Sequence, residues 1–156
     1  MTAYTDSLGF YKNSAGFAAN YTDRMSVIEI DLDFAKIAAA RAAASAAALA
    51  ATDTLVIGTL PKGAAVIAGA ITVARAEGAA GTVDVGITGA LTLFGNDVSV
   101  NSAVGTTAGG AGAAYATADT DIVMTINTND IDTARIKVSI LVANMGADLG
   151  TIANAT

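Results

Sequence analysis

The chain contains no cysteine, no histidine and no tryptophan, and a single proline, Pro61, in 156 residues. Each absence closes off a class of chemistry. Without Cys there is no disulfide and no thiol nucleophile. Without Cys or His, imidazole acid–base catalysis and the common zinc and haem sites are also excluded. Positive charge is scarce as well: eight Lys and Arg face 14 Asp and Glu, for a net charge of −6 and a pI near 4.3. The eight cations are scattered along the chain, and a surface of that sign repels phosphate backbones, so no nucleic-acid partner is expected. Long apolar runs are missing too. Residues 35–51 carry Lys36 and Arg41, and residues 54–74 are broken by Pro61 and Lys62. A membrane-spanning helix needs roughly 20 mostly apolar residues, so a soluble chain without a membrane partner is expected. The first 24 residues are polar and show no secretory pattern. The missing cysteines leave the redox compartment open.

What is present is small. The hydrophobic fraction is 53%, but 37 of those residues are alanine, and 16 glycines add to them. One domain is expected, with enough large aliphatics to form a core without metal or disulfide staples.

Residues 1–24 hold Tyr4, Phe10, Tyr11, Phe17 and Tyr21 with no clear period. They read as an arm, too polar for a core element and too aromatic for an inert linker. Two readings stand: an arm packed on its own domain, or one whose five rings bind a neighbouring subunit. From residue 27 the pattern becomes β. Ile28, Ile30, Leu32 and Phe34 alternate with Glu29, Asp31 and Asp33. Residues 35–51 are nearly all Ala, so a helix of about 17 residues is expected there. Beyond Asp53 come short alternating runs, with a Pro61-Lys62-Gly63 turn, a run from Val83 to Ile87, and another ending at Gly95-Asn96-Asp97. Residues 98–118 read as a Gly-rich loop. Residues 122–127 and 135–143 read as the two strands of a hairpin, and 144–156 as a C-terminal tail. The expected fold is mainly β: a β-sandwich or jelly-roll-like domain at 25–143, with one Ala-rich helix at about 35–51 and an N-terminal arm at 1–24.

The chemical motifs are weak. Glu29, Asp31 and Asp33 on one strand face have a spacing compatible with a carboxylate-based glycosidase. A sugar cleft is normally lined with aromatics, however, so a solvated or subunit-facing strand surface is the simpler account. Residues 109–114, GGAGAA, lack the Gly-Lys-Ser/Thr ending of a phosphate-binding loop. A serine nucleophile has no histidine to activate it. Asp119, Asp121, Asn127, Asn129, Asp130 and Asp132 crowd one region and are hard oxygen donors suited to calcium, but Asx residues also simply make turns. No catalytic, cofactor or metal residue is assigned, and the calcium question stays open.

One resemblance rests on the succession of elements. Ile28-Glu29-Ile30-Asp31-Leu32-Asp33-Phe34 leads into Ala35-Lys36-Ile37. Asp53-Thr54-Leu55-Val56 then runs through Leu60-Pro61-Lys62-Gly63 to Ile71-Thr72-Val73. Thr82-Val83-Asp84-Val85-Gly86 follows, and Ala134-Arg135-Ile136-Lys137-Val138 closes the series. Over residues 27–143 this pattern resembles the capsid decoration, or cement, proteins of tailed double-stranded DNA bacteriophages. The resemblance implies a non-enzymatic virion structural protein without cofactor. It would be made in the host cytoplasm and sit as a homotrimer on the capsid exterior, bound to the major capsid protein. The alternative is a phage tail, neck or fibre component involved in host attachment.

Overall fold

The computed structural model describes residues 2–5, 11–14, 25–110 and 114–144, with side chains from residue 25 to residue 143. In chain order the elements are β1 (Thr2–Thr5), β2 (Tyr11–Ser14), β3 (Met25–Asp33), α1 (Phe34–Ala43), β4 (Thr54–Leu60) and β5 (Ala64–Arg75). They continue with β6 (Thr82–Ile87), β7 (Ala90–Ser99), β8 (Thr107–Gly110), β9 (Ala114–Tyr115), β10 (Thr120–Thr128) and β11 (Arg135–Asn144). The strands β1 and β2 pair as an antiparallel two-stranded ribbon. The rest form two antiparallel sheets, one in the order β4-β10-β6-β7 and one in the order β3-β11-β5-β8, with β9 also paired to β5. From β3 onward the chain changes sheet at almost every connection, and only β6 and β7 are successive strands paired with each other. That alternation between a four-stranded and a five-stranded layer is jelly-roll topology.

The alternating residues explain the layers. Ile28, Val66, Ile71, Val73, Ile136, Val138, Ile140 and Val142 point inward from one sheet, and Val83, Val85, Phe94, Ile122, Met124 and Ile126 from the other. Glycines let the sheets approach near β7. A Cβ on Gly69 would lie 2.7 Å from Phe94 Cδ1, and one on Gly110 would lie 2.6 Å from the Leu93 carbonyl oxygen. The glycines of the 109–114 stretch that the structure describes are therefore packing devices. Outside the core, cross-strand threonine pairs fix register: Thr54 with Thr125 at 3.3 Å, Thr72 with Thr107 at 2.9 Å and Thr82 with Thr128 at 3.0 Å.

Three expectations need correction. The helix is ten residues long, not 17. It ends in a Schellman motif, with Ser45 N–H bonded to the Ala42 carbonyl at 3.0 Å and Ala46 N–H to the Arg41 carbonyl at 2.9 Å. Ala46 to Ala50 then run without regular structure and bring Leu49 into the core, so tertiary burial overrides alanine's helix preference. Ser45 sits at φ 56° in this motif, where glycine is favoured. Ser45→Gly is accordingly expected to stabilise the domain by about 1 kcal/mol. The check is a higher urea midpoint at unchanged slope.

The second correction concerns 122–127 and 135–143. Both segments are strands, but β10 lies in one sheet and β11 in the other, so they are not a hairpin. The connecting loop crosses the sandwich, carrying Ile131 and Ala134 into the core. It is clamped by Glu77, a 6% exposed side chain from the β5–β6 loop. One carboxylate oxygen accepts the N–H groups of Asp132, Thr133 and Ala134 at 3.2, 2.9 and 2.9 Å. The other accepts the Thr133 hydroxyl at 2.5 Å and the Gly78 N–H at 2.9 Å. Burial by itself would raise the pKa of Glu77, but the hydrogen bonds from Thr133, Ala134 and Gly78 outweigh it and hold the group at about 2.

Third, the segment read as loop is partly strand. The strand β7 runs through Asn96-Asp97 to Ser99 across an irregularity in register, and β8 and β9 add to the edge of the other sheet. Low side-chain mass at Gly109 and Gly110 hid a strand whose role is backbone contact. The expected tail begins one residue early, since Asn144 still pairs with Ala64. Residues 145–156 lie outside the described residues.

Candidate assembly surface

The outer face of the five-stranded sheet is built by the side chains that alternate with the core. Its register brings Asp33 opposite Arg135, Asp31 opposite Lys137, and Glu29 opposite Ser139. Arg135 reaches diagonally to Asp31, donating from Nε at 2.9 Å and from a terminal nitrogen at 2.5 Å. Arg75 donates to Asp33 at 2.6 Å and from Nε to the Thr133 carbonyl, also at 2.6 Å. These partners set the chemistry of the acidic strand. The hydrogen bond from Arg135 holds the Asp31 carboxyl below its ordinary value, and that from Arg75 does the same for Asp33. A general acid for glycoside hydrolysis needs the opposite shift. Three acids, Glu29, Asp31 and Asp33, are matched on this half of the face by Arg75, Arg135 and Lys137, so it is charged yet balanced.

Moving toward the start of β3, the same face changes character. Met25 and Val27 follow on β3, with Ala143 and Leu141 beside them on β11. Ala65 and Ala68 continue the patch on β5, and a register irregularity there leaves Ile67 exposed as well. Tyr115 on β9 lies opposite Ala65 and closes the row. One sheet face is thus split into a charged half and an apolar half.

The outer face of the four-stranded sheet is mostly polar, with Val56 exposed on it opposite Val123. Register irregularities in β10 and β7 place Asn127 and Asp97 beside Asp84. Asn127 donates to Asp84 at 2.6 Å and to Asp97 at 3.0 Å, and the Asp97 N–H donates to Asp84 at 2.7 Å. The six Asx residues considered for calcium do not converge. Asp119 accepts the Lys62 N–H, Asn129 donates to the Ala80 carbonyl, and Asp132 contributes its backbone to the Glu77 clamp. Among the described residues no three acidic side chains come together as a metal site. No helix there is long and apolar enough to cross a membrane.

Of the arm residues, Tyr4 lies in β1 and Tyr11 in β2 by their backbones. Their side chains, and Phe10, Phe17 and Tyr21 altogether, lie outside the described residues. Sequence reasoning missed two features of the surface: Arg75 as the partner of Asp33, and the split of one sheet face. The first depends on a contact between β3 and β5 across β11. The second needs the pairing of β3, β11, β5 and β9, although the sequence carried its signal in the shift from Met25 and Val27 to Glu29, Asp31 and Asp33.

Solved structures of similar fold include chains from three phage capsids. The chain is similar to one in the capsid asymmetric unit of cyanophage Pam1, with a TM-score of 0.56 at 15% identity, covering 76% of this chain and 84% of that one. It is similar to a chain of the acid-stable capsid of Helicobacter pylori bacteriophage KHP30, with a TM-score of 0.55 at 15% identity and coverages of 78% and 89%. A chain of the Ralstonia phage GP4 capsid gives 0.52 at 16% identity, with coverages of 77% and 84%. The fold is one found in phage capsids. No protein-family model and no curated protein matches the sequence.

Proposed function

We propose that the chain is a non-enzymatic virion structural protein: a capsid decoration, or cement, protein that binds the major capsid protein lattice from outside as a homotrimer. The observation that carries the reading is the jelly-roll sandwich, which shares its fold with chains of three phage capsids over most of their length. Physical features agree with it. A net charge of −6 keeps the protein off a packaged genome. Many identical copies on a lattice gain avidity, so modest contacts per copy suffice. Tyr4, Phe10, Tyr11, Phe17 and Tyr21 are the residues proposed to contact the capsid partner. The acids Asp31 and Asp33 serve as ion-pair partners within the sheet and carry no hydrolytic chemistry.

Two measurements test this. Copy number in purified virions separates shell from tail, since a decoration protein is present at a stoichiometry comparable with the major capsid protein. A scarce component would move the assignment to tail, neck or fibre. Deleting residues 1–24 is expected to leave the domain folded while weakening co-sedimentation with capsids lacking the protein by about tenfold or more. Undiminished binding by the truncated chain would remove the arm from the interface.

A further inference from the structure

Seven large apolar side chains are exposed among the described residues, and four of them, Met25 (50%), Val27 (41%), Ile67 (49%) and Tyr115 (45%), share the apolar half-face. Isolated exposed apolar residues are ordinary, but a contiguous group bordered by charge marks a surface that something covers. From β3 to β9 the group crosses three strand spacings, roughly 14 Å.

The covering segment is indicated by where the chain enters. Met25 is both a corner of the patch and the first residue after the 24-residue arm, which holds five aromatic rings. The backbone of Thr2–Thr5 and Tyr11–Ser14 is an antiparallel ribbon. A two-stranded ribbon is marginal in water by itself and needs a packing surface. Between Ser14 and Met25 lie ten residues, which span up to about 33 Å when extended, so the ribbon can reach any part of the patch. The tether also supplies an effective concentration in the mM range, far above that of a second copy at micromolar protein.

We propose that in the free protein the aromatic arm, residues 1–24, covers the apolar half-face of its own sheet. This goes beyond the capsid reading and does not depend on it, because it concerns the subunit before any shell is present. Contact with a shell would then draw the rings from one apolar seat to another.

The absence of tryptophan makes the test direct, since one introduced Trp is the only indole present. Tyr21→Trp and, separately, Phe17→Trp are made in the full chain, and emission and acrylamide quenching are recorded. At least one is expected to emit at shorter wavelength than in denaturant and to resist quenching. Adding Ile67→Asp, or Val27→Lys as an independent exposed site, is expected to abolish the blue shift and raise quenching several-fold, with the melting of the domain followed alongside. Water-like emission from both single-Trp proteins, or a blue shift indifferent to both face charges, would overturn the proposal. Dilution assigns the arm to its owner. The blue shift of the full chain carrying Tyr21→Trp or Phe17→Trp should be unchanged on dilution from micromolar to nanomolar concentration. Its loss on dilution would give the seat to the arm of a second copy and overturn the assignment. Capsid co-sedimentation on the same samples reads the capsid hypothesis separately.

Discussion

Glu77→Ala is expected to cost about 3–4 kcal/mol of folding stability, a large share of what a single domain possesses. The substitution removes a carboxylate that gathers four backbone N–H groups and one hydroxyl, and the N–H of buried Ala134 is left without its acceptor. Glu77→Gln separates shape from charge. An amide oxygen can keep the bonds from Asp132, Thr133 and Ala134, but its NH2 group then faces the Gly78 N–H, donor against donor. About 2 kcal/mol is expected for that change. The pH dependence adds a signature that a merely bulky residue would lack. The folded-state pKa is about 2 against an ordinary 4.5, so the group is depressed on folding. Its contribution is therefore fully present above pH 4.5 and disappears as the pH falls toward 2. The difference corresponds to about 3 kcal/mol. Urea unfolding at a series of pH values should show the native protein losing that stability across the window. Glu77→Gln should lack this step, so the two curves should converge at acid pH. Parallel curves would show that the clamp does not depend on the charge.

Phe94→Ala is expected to cost about 4 kcal/mol, because the ring is fully buried at the closest approach of the two sheets. Its neighbour across the sandwich is Gly69, where a methyl group would come within 2.7 Å of the ring. Gly69→Ala in the native background should thus destabilise by about 2 kcal/mol through overpacking. In the Phe94→Ala background the ring contacts at 2.7 and 3.0 Å are gone, but the Cβ that alanine keeps still lies 2.8 Å from the new methyl, so its cost should fall only in part, to about 1 kcal/mol. The double-mutant cycle measures this coupling by chemical denaturation. Additive losses would mean that Gly69 makes room for the Phe94 Cβ and not for the ring.

The strands were legible in the sequence wherever large aliphatics alternate with polar residues, as from Ile28 to Asp33 and from Ile136 to Val142. In both, a core faces one side only and the period of two is forced. The sandwich class followed from the number and spacing of such runs. Sheet membership did not, because the turn at Asn129-Asp130 looks the same whether the chain folds back beside itself or crosses to the opposite layer. What decides is the burial of Ile131 and the acceptor offered by Glu77, 55 residues away from Asp132. The helix end was hidden for a different reason. Alanine makes Ala46 to Ala50 fit for a helix, and only the pull of Leu49 toward the core shows otherwise. At the candidate surface the acidic strand was visible, while Arg75 and the apolar half-face depend on strands brought together from distant parts of the sequence. The arm aromatics were visible as residues.

The order of strands has a temporal consequence. The strand β11, latest of the described strands, lies between β3 and β5, and β10 lies between β4 and β6. The centre of each layer is therefore supplied after its flanks. While the chain is being made, β3, β4, β5 and β6 lack their inner partners, and only the β6–β7 pair can close locally. Such non-local closure is slow. Neither layer can therefore be completed before its central strand, β10 or β11, has been made.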